Sequence, residues 1–302
     1  MVIRSRAYDK ERDFQSVMAF LAELFIKNKS YENWFPDRFE NSSENREDAI
    51  RIWEKLDHTN HPNVAEIVAL TTRDSQNDFF LHIDPNYRSL EKEMIEWLEK
   101  YYSKKKKEGK VDRKLTINTL EGNAQREALL TELGYTFQKI YGYYRIRNGS
   151  TSIPDFECPK GFEIRAIRKD EFEQQALLIQ KVFGHGEWFT ADILEWIANC
   201  SFYKKELDLV AITPAGIIAS FCTFRLDPNS KIIALEPMGT NPDYRKLGLG
   251  KALLTEGIKR SMKYDPPFFY IDGAADTPAA NRLYDATGFT EKYAINSWIK
   301  RN

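Results

Sequence analysis

Hydrophobic positions in the second half of the chain follow a short list of periods. Residues 207–213 alternate apolar and polar and stop at Pro214-Ala215-Gly216, a turn signal. An apolar run follows over 217–226, then Asp227-Pro228-Asn229-Ser230, then a further strand over 231–238. This pattern predicts a three-strand antiparallel meander. Near Leu249 the period lengthens: Leu249, Leu253, Ile258 and Met262 fall at near-helical spacing. PPFFYID (266–272) reads as a short aromatic strand, and Thr277-Pro278 opens another helix, with Thr as N-cap and Pro in its first turn. Gly288 is placed to close that helix in the left-handed conformation. With the strand and helices ahead of the meander, the predicted order is strand, helices, meander, helix, strand, helix, strand. That is an α+β unit.

The first half repeats the pattern more faintly. Ile3-Arg4 and Ile164-Arg165 each open a short strand followed by a charged amphipathic helix. DPNYRSL (84–90) matches NPDYRKL (241–247), and ALLTELGYTF (128–137) matches RLYDATGFTE (282–291). Three matches in one order at similar separations predict two copies of one unit. Between them RNGSTSIPDFECPKG (147–161) carries no period and is rich in turn residues. The sequence therefore divides into a domain over 1–148, a linker over 149–160 and a second domain over 161–302. The first domain is expected to be the shorter one, with fewer strands.

Composition narrows the function. Of 302 residues 42% are hydrophobic, enough for packed cores, and 44 Lys and Arg face 45 Asp and Glu. The first half is equally balanced, so no basic field points to nucleic acid or a membrane surface. Three cysteines without CxxC spacing suit reduced thiols. The charged N-terminus is unlike a signal peptide, and no apolar run approaches the ~18 residues of a span. A soluble, cytoplasmic protein is expected.

The chemistry concentrates in NPDYRKLGLGKALL (241–254). Arg245, Gly248 and Gly250 form Arg-x-x-Gly-x-Gly at a turn from strand to helix. Glycines allow positive φ and let a ligand lie against bare backbone, while the free N–H groups of a helix start attract an anion such as a pyrophosphate. A Walker loop would need a glycine at Arg245 and a hydroxyl at Ala252, and a dinucleotide fingerprint a glycine at Leu253; neither pattern is met.

Arg-x-x-Gly-x-Gly after a strand, followed by Leu-Tyr-x-x-x-Gly-Phe over 283–289, resembles the GNAT acyltransferase superfamily, and the resemblance covers 162–302. It implies two GNAT-like α+β domains, each a mixed, mostly antiparallel sheet flanked by helices. It also implies that the glycine turn holds the pyrophosphate of acetyl-CoA, whose pantetheine arm lies along the preceding strand. The coenzyme-binding residues expected on this basis are Met238, Thr240, Arg245, Lys246, Leu247, Gly248, Leu249, Gly250, Lys251 and Asn281. Pro237 and Gly239 make sense in that strand as marks of a bulge and a close backbone approach. By the same resemblance Tyr284 protonates the departing thiolate. Glu236 is the candidate base for an amine, and the Met238 N–H the candidate oxyanion donor. Strand alternation puts Glu236 and Met238 on one face unless a bulge intervenes. The family pattern has an Asn seven residues before the Tyr, where this chain has Thr277; Asn281, Asp276 or neither then contacts the coenzyme. His185 and Trp188, in FGHGEWF (183–189), fall where the family shapes its acceptor pocket, and serve equally as an anchored loop.

In the first copy the positions of Gly248, Gly250 and Tyr284 become Glu91, Glu93 and Leu130. Carboxylates there repel an anion, so this copy is expected to be a degenerate GNAT domain that binds no coenzyme, and the fused pair a monomer acting as a pseudo-dimer. Lys104 to Lys107 read as a solvated helix end. Asp57, His58 and His61 lack a fourth ligand in register, and no metal is assigned. The function expected is N-acetyl transfer from acetyl-CoA to a small-molecule or peptide amine by direct transfer in a ternary complex. The alternative is a non-catalytic acetyl-CoA sensor or scaffold.

Overall fold

The computed structural model describes residues 2–28, 33–42, 47–56, 65–74, 77–109 and 114–301. In chain order the elements are β1 (Val2–Ala7), α1 (Lys10–Asn28), α2 (Pro36–Ser42), β2 (Arg51–Leu56), β3 (Ala65–Arg73), β4 (Asp78–Ile83), α3 (Glu91–Lys107), β5 (Lys114–Leu120), α4 (Ala124–Glu132) and β6 (Thr136–Asn148). There follow β7 (Glu163–Ala166), α5 (Phe172–Phe183), α6 (Ala191–Ile197), β8 (Asp208–Ile212), β9 (Ile218–Leu226), β10 (Ile233–Thr240), α7 (Leu249–Ser261), β11 (Phe268–Ile271), α8 (Pro278–Ala286) and β12 (Glu291–Arg301). No helix among the described residues is long and apolar enough to cross a membrane. Asp57, His58 and His61 lie outside the described residues.

The chain forms two compact units, one of residues 1–142 with 293–302, the other of residues 143–292. This differs from the division read off the sequence. The last strand, expected to complete the second domain, belongs to the first unit, where β12 pairs antiparallel with β5 from Ile295↔Leu120 to Arg301↔Lys114. In the second unit, the end of β6 takes the place beside β11, from Phe268↔Asn148 to Ile271↔Arg145. The reason is that a strand's edge is chosen by register and packing, which its own apolar pattern does not encode.

The first unit orders its strands β1-β2-β3-β4-β5-β12. It is no poorer in strands than the second, contrary to expectation. Trp53, Phe79, Leu81, Met94, Leu98, Ile117 and Leu130 fill one face under α3 and α4, and Leu21, Trp34, Phe39, Ile52 and Phe80 fill the other under α1 and α2.

The second unit orders its strands β6-β11-β10-β9-β8-β7, all neighbours antiparallel except β10 and β11. The meander over β8, β9 and β10 falls where its alternation placed it. Leu209, Phe224, Leu235, Leu253, Ile258 and Phe269 pack beneath α7, while Phe172, Ile179, Leu194, Val210 and Phe221 pack beneath α5 and α6. The stretch 151–162 has no regular secondary structure, in line with its lack of period. Its start is nevertheless tied to this unit: the Gly149 N–H donates to Pro267 O at 2.9 Å, and Arg147 Nη2 donates to Thr151 O at 2.8 Å.

Candidate active site

β10 delivers the site. It pairs with parallel β11 at only two positions, Ile233↔Phe269 and Ala234↔Tyr270, and beyond them the two strands part. On its other side β10 stays paired with β9, but the register slips between Leu235 and Met238, at Glu236-Pro237. This is the bulge that Pro237 announced, and it alters the side-chain phase. Met238 packs with the cluster beneath α7, whereas Glu236 Oε2 lies 3.8 Å from Arg225 Nη1, whose guanidinium sits 5.0 Å over Phe202 on the α5/α6 side. Glu236 and Met238 therefore do not share a face, as simple alternation had it. Gly239 is required by its neighbours. A Cβ there would stand 2.5 Å from Phe221 Cζ and 2.8 Å from Val182 Cγ1.

Past Thr240 the chain turns into α7. Asn241 caps a single 3-10 turn by accepting from the Asp243 N–H at 3.3 Å, and Lys181 of α5 braces it through Asn241 Oδ1 at 2.9 Å and Asp243 Oδ2 at 2.8 Å. Lys246 and Gly248 both take positive φ, +66° and +84°. The turn thereby opens the start of α7, whose N-cap makes no side-chain hydrogen bond. Arg245, Lys246, Leu247, Gly248 and Lys251 are exposed, Leu249 is buried as an anchor, and Arg245 Nε donates to Thr240 O at 3.3 Å. A Cβ on Gly250 would meet Met238 Cε at 3.4 Å, Leu283 Cδ2 at 3.5 Å and Thr240 Oγ1 at 3.8 Å, so this glycine keeps open the space between β10 and α8. Positive φ, uncapped helix N–H groups, flanking cations and a bare backbone fit a diphosphate, and the parted strands fit an extended arm.

α8 supplies the remaining residues. Thr277 Oγ1 accepts from the Ala280 N–H at 3.2 Å, and Gly288, at φ +88°, follows the helix end as its sequence indicated. Tyr284 is half-buried, edge-on to Phe289 at 6.3 Å. Burial raises its phenol above the ordinary tyrosine value, Cys222 adds to the rise, and the Arg145 cation opposes it. Asn281 is engaged within the unit: its Oδ1 accepts from Arg145 Nη2 at 2.5 Å and its Nδ2 donates to Asp276 Oδ1 at 2.9 Å. Lys292 meets the same Asp276 oxygen at 2.6 Å, and with Asn281 it holds this carboxylate down at about 2. His185 stacks between Phe183 at 5.6 Å and Phe189 at 5.8 Å, while the Trp188 ring, 5.1 Å from it, is 64% exposed. Phe183 also meets Phe221 at 6.1 Å, which joins this aromatic loop to the floor beneath Gly239.

Arg145 was not legible as a site residue. In YYRIRN it reads as one more basic position on a strand, and nothing in the pattern indicates that it faces α8.

The first unit presents the same frame with different contents. Asp84 accepts from the Asn86 N–H at 2.8 Å as Asn241 does from Asp243, and Asn123 caps α4 through the Arg126 N–H at 3.2 Å as Thr277 caps α8. In place of the glycines, Glu91 is buried and binds Arg126 through Nη2 at 3.0 Å and Nε at 3.3 Å. Glu93 accepts from Trp53 Nε1 at 2.8 Å. Leu130 is buried in the core where Tyr284 stands in the other unit.

A strand parted from its parallel neighbour, with an open helix start at its end, is the arrangement that the motif's resemblance implied. Residues 164–289 match the Acetyltransferase (GNAT) family. A mycothiol acetyltransferase from Paenarthrobacter aurescens (strain TC1) is 29% identical over 180 residues, which are 56% of this chain and 55% of that protein. One from Thermobispora bispora is 26% identical over 186 residues, 56% of this chain and 60% of that protein. The chain thus spans little more than half the length of these relatives. Among solved structures, a GCN5-related N-acetyltransferase from Sphaerobacter thermophilus superposes with a TM-score of 0.68 at 15% identity, over 99% of this chain and 96% of that one. A tandem GNAT protein from the clavulanic acid biosynthesis pathway gives 0.66 at 12% identity, over 99% and 98%. The fold is that of tandem GNAT domains.

Proposed function

We propose that the second unit transfers an acetyl group from acetyl-CoA to an amine, directly and within a ternary complex. The observation that carries this reading is the open start of α7 at the end of the parted β10. The names of the relatives, acetyltransferases, agree with it. Acetyl-CoA supplies an acetyl group activated as a thioester; the remaining work falls to side chains and backbone. Met238, Thr240, Arg245 and the stretch 246–251 bind and orient it, and Asn281 stands at the edge of that set. Glu236 takes the proton from the ammonium of the acceptor, directly or through water, so that the nitrogen lone pair attacks the carbonyl carbon. The Met238 N–H steadies the oxyanion. As the C–S bond breaks, Tyr284 gives its proton to the sulfur, and the second proton lost by the nitrogen restores the phenol through water. A thiol near ~8.5 and a phenol near ~10 are close enough for that transfer over one hydrogen bond.

The first unit, on this reading, binds no coenzyme. The buried Glu91–Arg126 pair supports that view, because it places a carboxylate and its counter-ion where the other unit has a glycine and Ala280. The acceptor is an amine of a small molecule or peptide.

Calorimetric titration of the full-length protein with acetyl-CoA tests the proposal. One site per chain is expected, lost in Gly248→Glu; no binding, or two sites, would overturn it. Binding without thiol release across an amine panel would favour the sensor instead.

A further inference from the structure

Arg145 lies in β6, ahead of the expected domain boundary, yet its guanidinium is a fastening of α8. Nη1 donates to Asp285 Oδ1 at 2.6 Å and to Phe289 O at 2.8 Å, and Nη2 donates to Asn281 Oδ1 at 2.5 Å. These contacts hold the middle and the end of the helix, and the cation stands 5.5 Å from the centre of the Tyr284 ring. The arginine is 3% exposed, whereas its carboxylate partner Asp285 is 58% exposed. The ion pair is thus open to water on the Asp285 side, while the guanidinium itself is buried beside the tyrosine ring. A planar, five-donor fork suits such a site better than a lysine, because several bonds fix one orientation.

We propose that Arg145 is a positioning residue for Tyr284, clamping its helix and holding a cation against its ring. The inference rests on the reading of Tyr284 as the proton donor. The groups acting on the phenol are Arg145 from β6 and Cys222 from β9; Asp285 on α8 is bound to Arg145, and Asp276 and Lys292 are bound beyond Asn281. Burial holds Cys222 well above the usual thiol range, and Arg145 is the cation acting on the phenol. A cation there favours the phenolate, brings the phenol nearer to the thiol it must protonate, and so strengthens the acid.

The test compares Arg145→Met, Arg145→Lys and Tyr284→Phe in the full chain. Carbon-13 tyrosine NMR follows the phenol in the protein without ligand, and Tyr284→Phe identifies its signal. Arg145→Met is expected to raise the Tyr284 pKa, to move the alkaline limb of kcat upward and to lower kcat roughly tenfold. Arg145→Lys keeps the charge and should keep the pKa, with kcat several-fold low because the fork is gone. In the Tyr284→Phe background Arg145→Met should cost nothing further. An unmoved phenol in Arg145→Met, or the same loss of kcat in both backgrounds, would overturn the inference. Should Arg145→Met not fold, wild-type kcat in Arg145→Lys overturns it. A full rate in Tyr284→Phe is a different result: it removes the acid reading, while the NMR titration still decides whether Arg145 governs the phenol.

Discussion

At the scale of single residues, two positions make opposite demands on a side chain. Gly248 needs left-handed φ with no Cβ, so any L residue is strained there by roughly 1–2 kcal/mol. Glutamate adds a negative charge at the helix start on top of that strain. Gly248→Glu should leave the fold intact and remove acetyl-CoA binding, as calorimetry will register. On the proposed reading, Tyr284 is needed for what its hydroxyl does. Tyr284→Phe keeps the ring against Phe289 and should lower kcat about 10²-fold with little change in coenzyme affinity, in line with loss of a proton donor. An unchanged kcat at saturating acceptor rejects that role.

His82 in the first unit is a different case. It is buried, its Nδ1 accepts from the Trp34 N–H at 3.1 Å, and its Nε2 lies 2.8 Å from Thr72 Oγ1. Burial, with Arg126 and Arg38 nearby, puts its pKa well below the usual histidine value. The unfolded chain therefore takes up a proton near pH ~6.5 that the folded chain refuses. Stability is intact above that pH and declines as pH falls below it, by up to about 1.4 kcal/mol per pH unit. Urea unfolding between pH 5 and 7 should show this slope, and His82→Gln should flatten it; the same slope in the variant would show that other groups produce it.

At the scale of elements, α7 serves two purposes, and its far end depends on a glycine as much as its start does. Gly257 lies so close to β9 that a Cβ would stand 1.8 Å from Phe224 Cε2. Phe224 is buried in the cluster beneath α7 and cannot withdraw without repacking it. Gly257→Ala should therefore destabilise the second unit by about 1–3 kcal/mol, despite alanine's better helix propensity. A raised midpoint in thermal or denaturant unfolding would contradict this. The helix start is sensitive in another manner, because what matters there is backbone left bare.

At the scale of the whole molecule, the strand assignment makes a truncation informative. The fragment 161–302 lacks β6, so it loses the strand beside β11 and with it Arg145 and Arg147. It also carries β12, with Ile295 and Ile299 buried in the intact protein, while leaving out its partner β5. We expect this fragment to show no cooperative thermal transition, and 143–292, which keeps the end of β6 beside β11 with the other strands of the second unit, to show one. Circular dichroism melts decide between them. A cooperative melt of 161–302 would mean that β12 had taken the edge left by β6.

Read by itself, the sequence determined whatever depends on neighbouring residues. The meander, the two caps of α8, the turn from β10 into α7, the repeat and the missing glycines of the first copy were all written in local periods and turn chemistry. Pro237 even announced the bulge. Which side of it each residue faces was left to the register, and there Glu236 and Met238 parted. The tertiary structure alone decided the pairings between distant segments: β12 with β5, β6 with β11, Arg126 with Glu91 and Arg145 with α8. Alternation tells a strand which face to bury but not which edge to join, and a basic residue on a strand looks the same whether it meets water or a tyrosine.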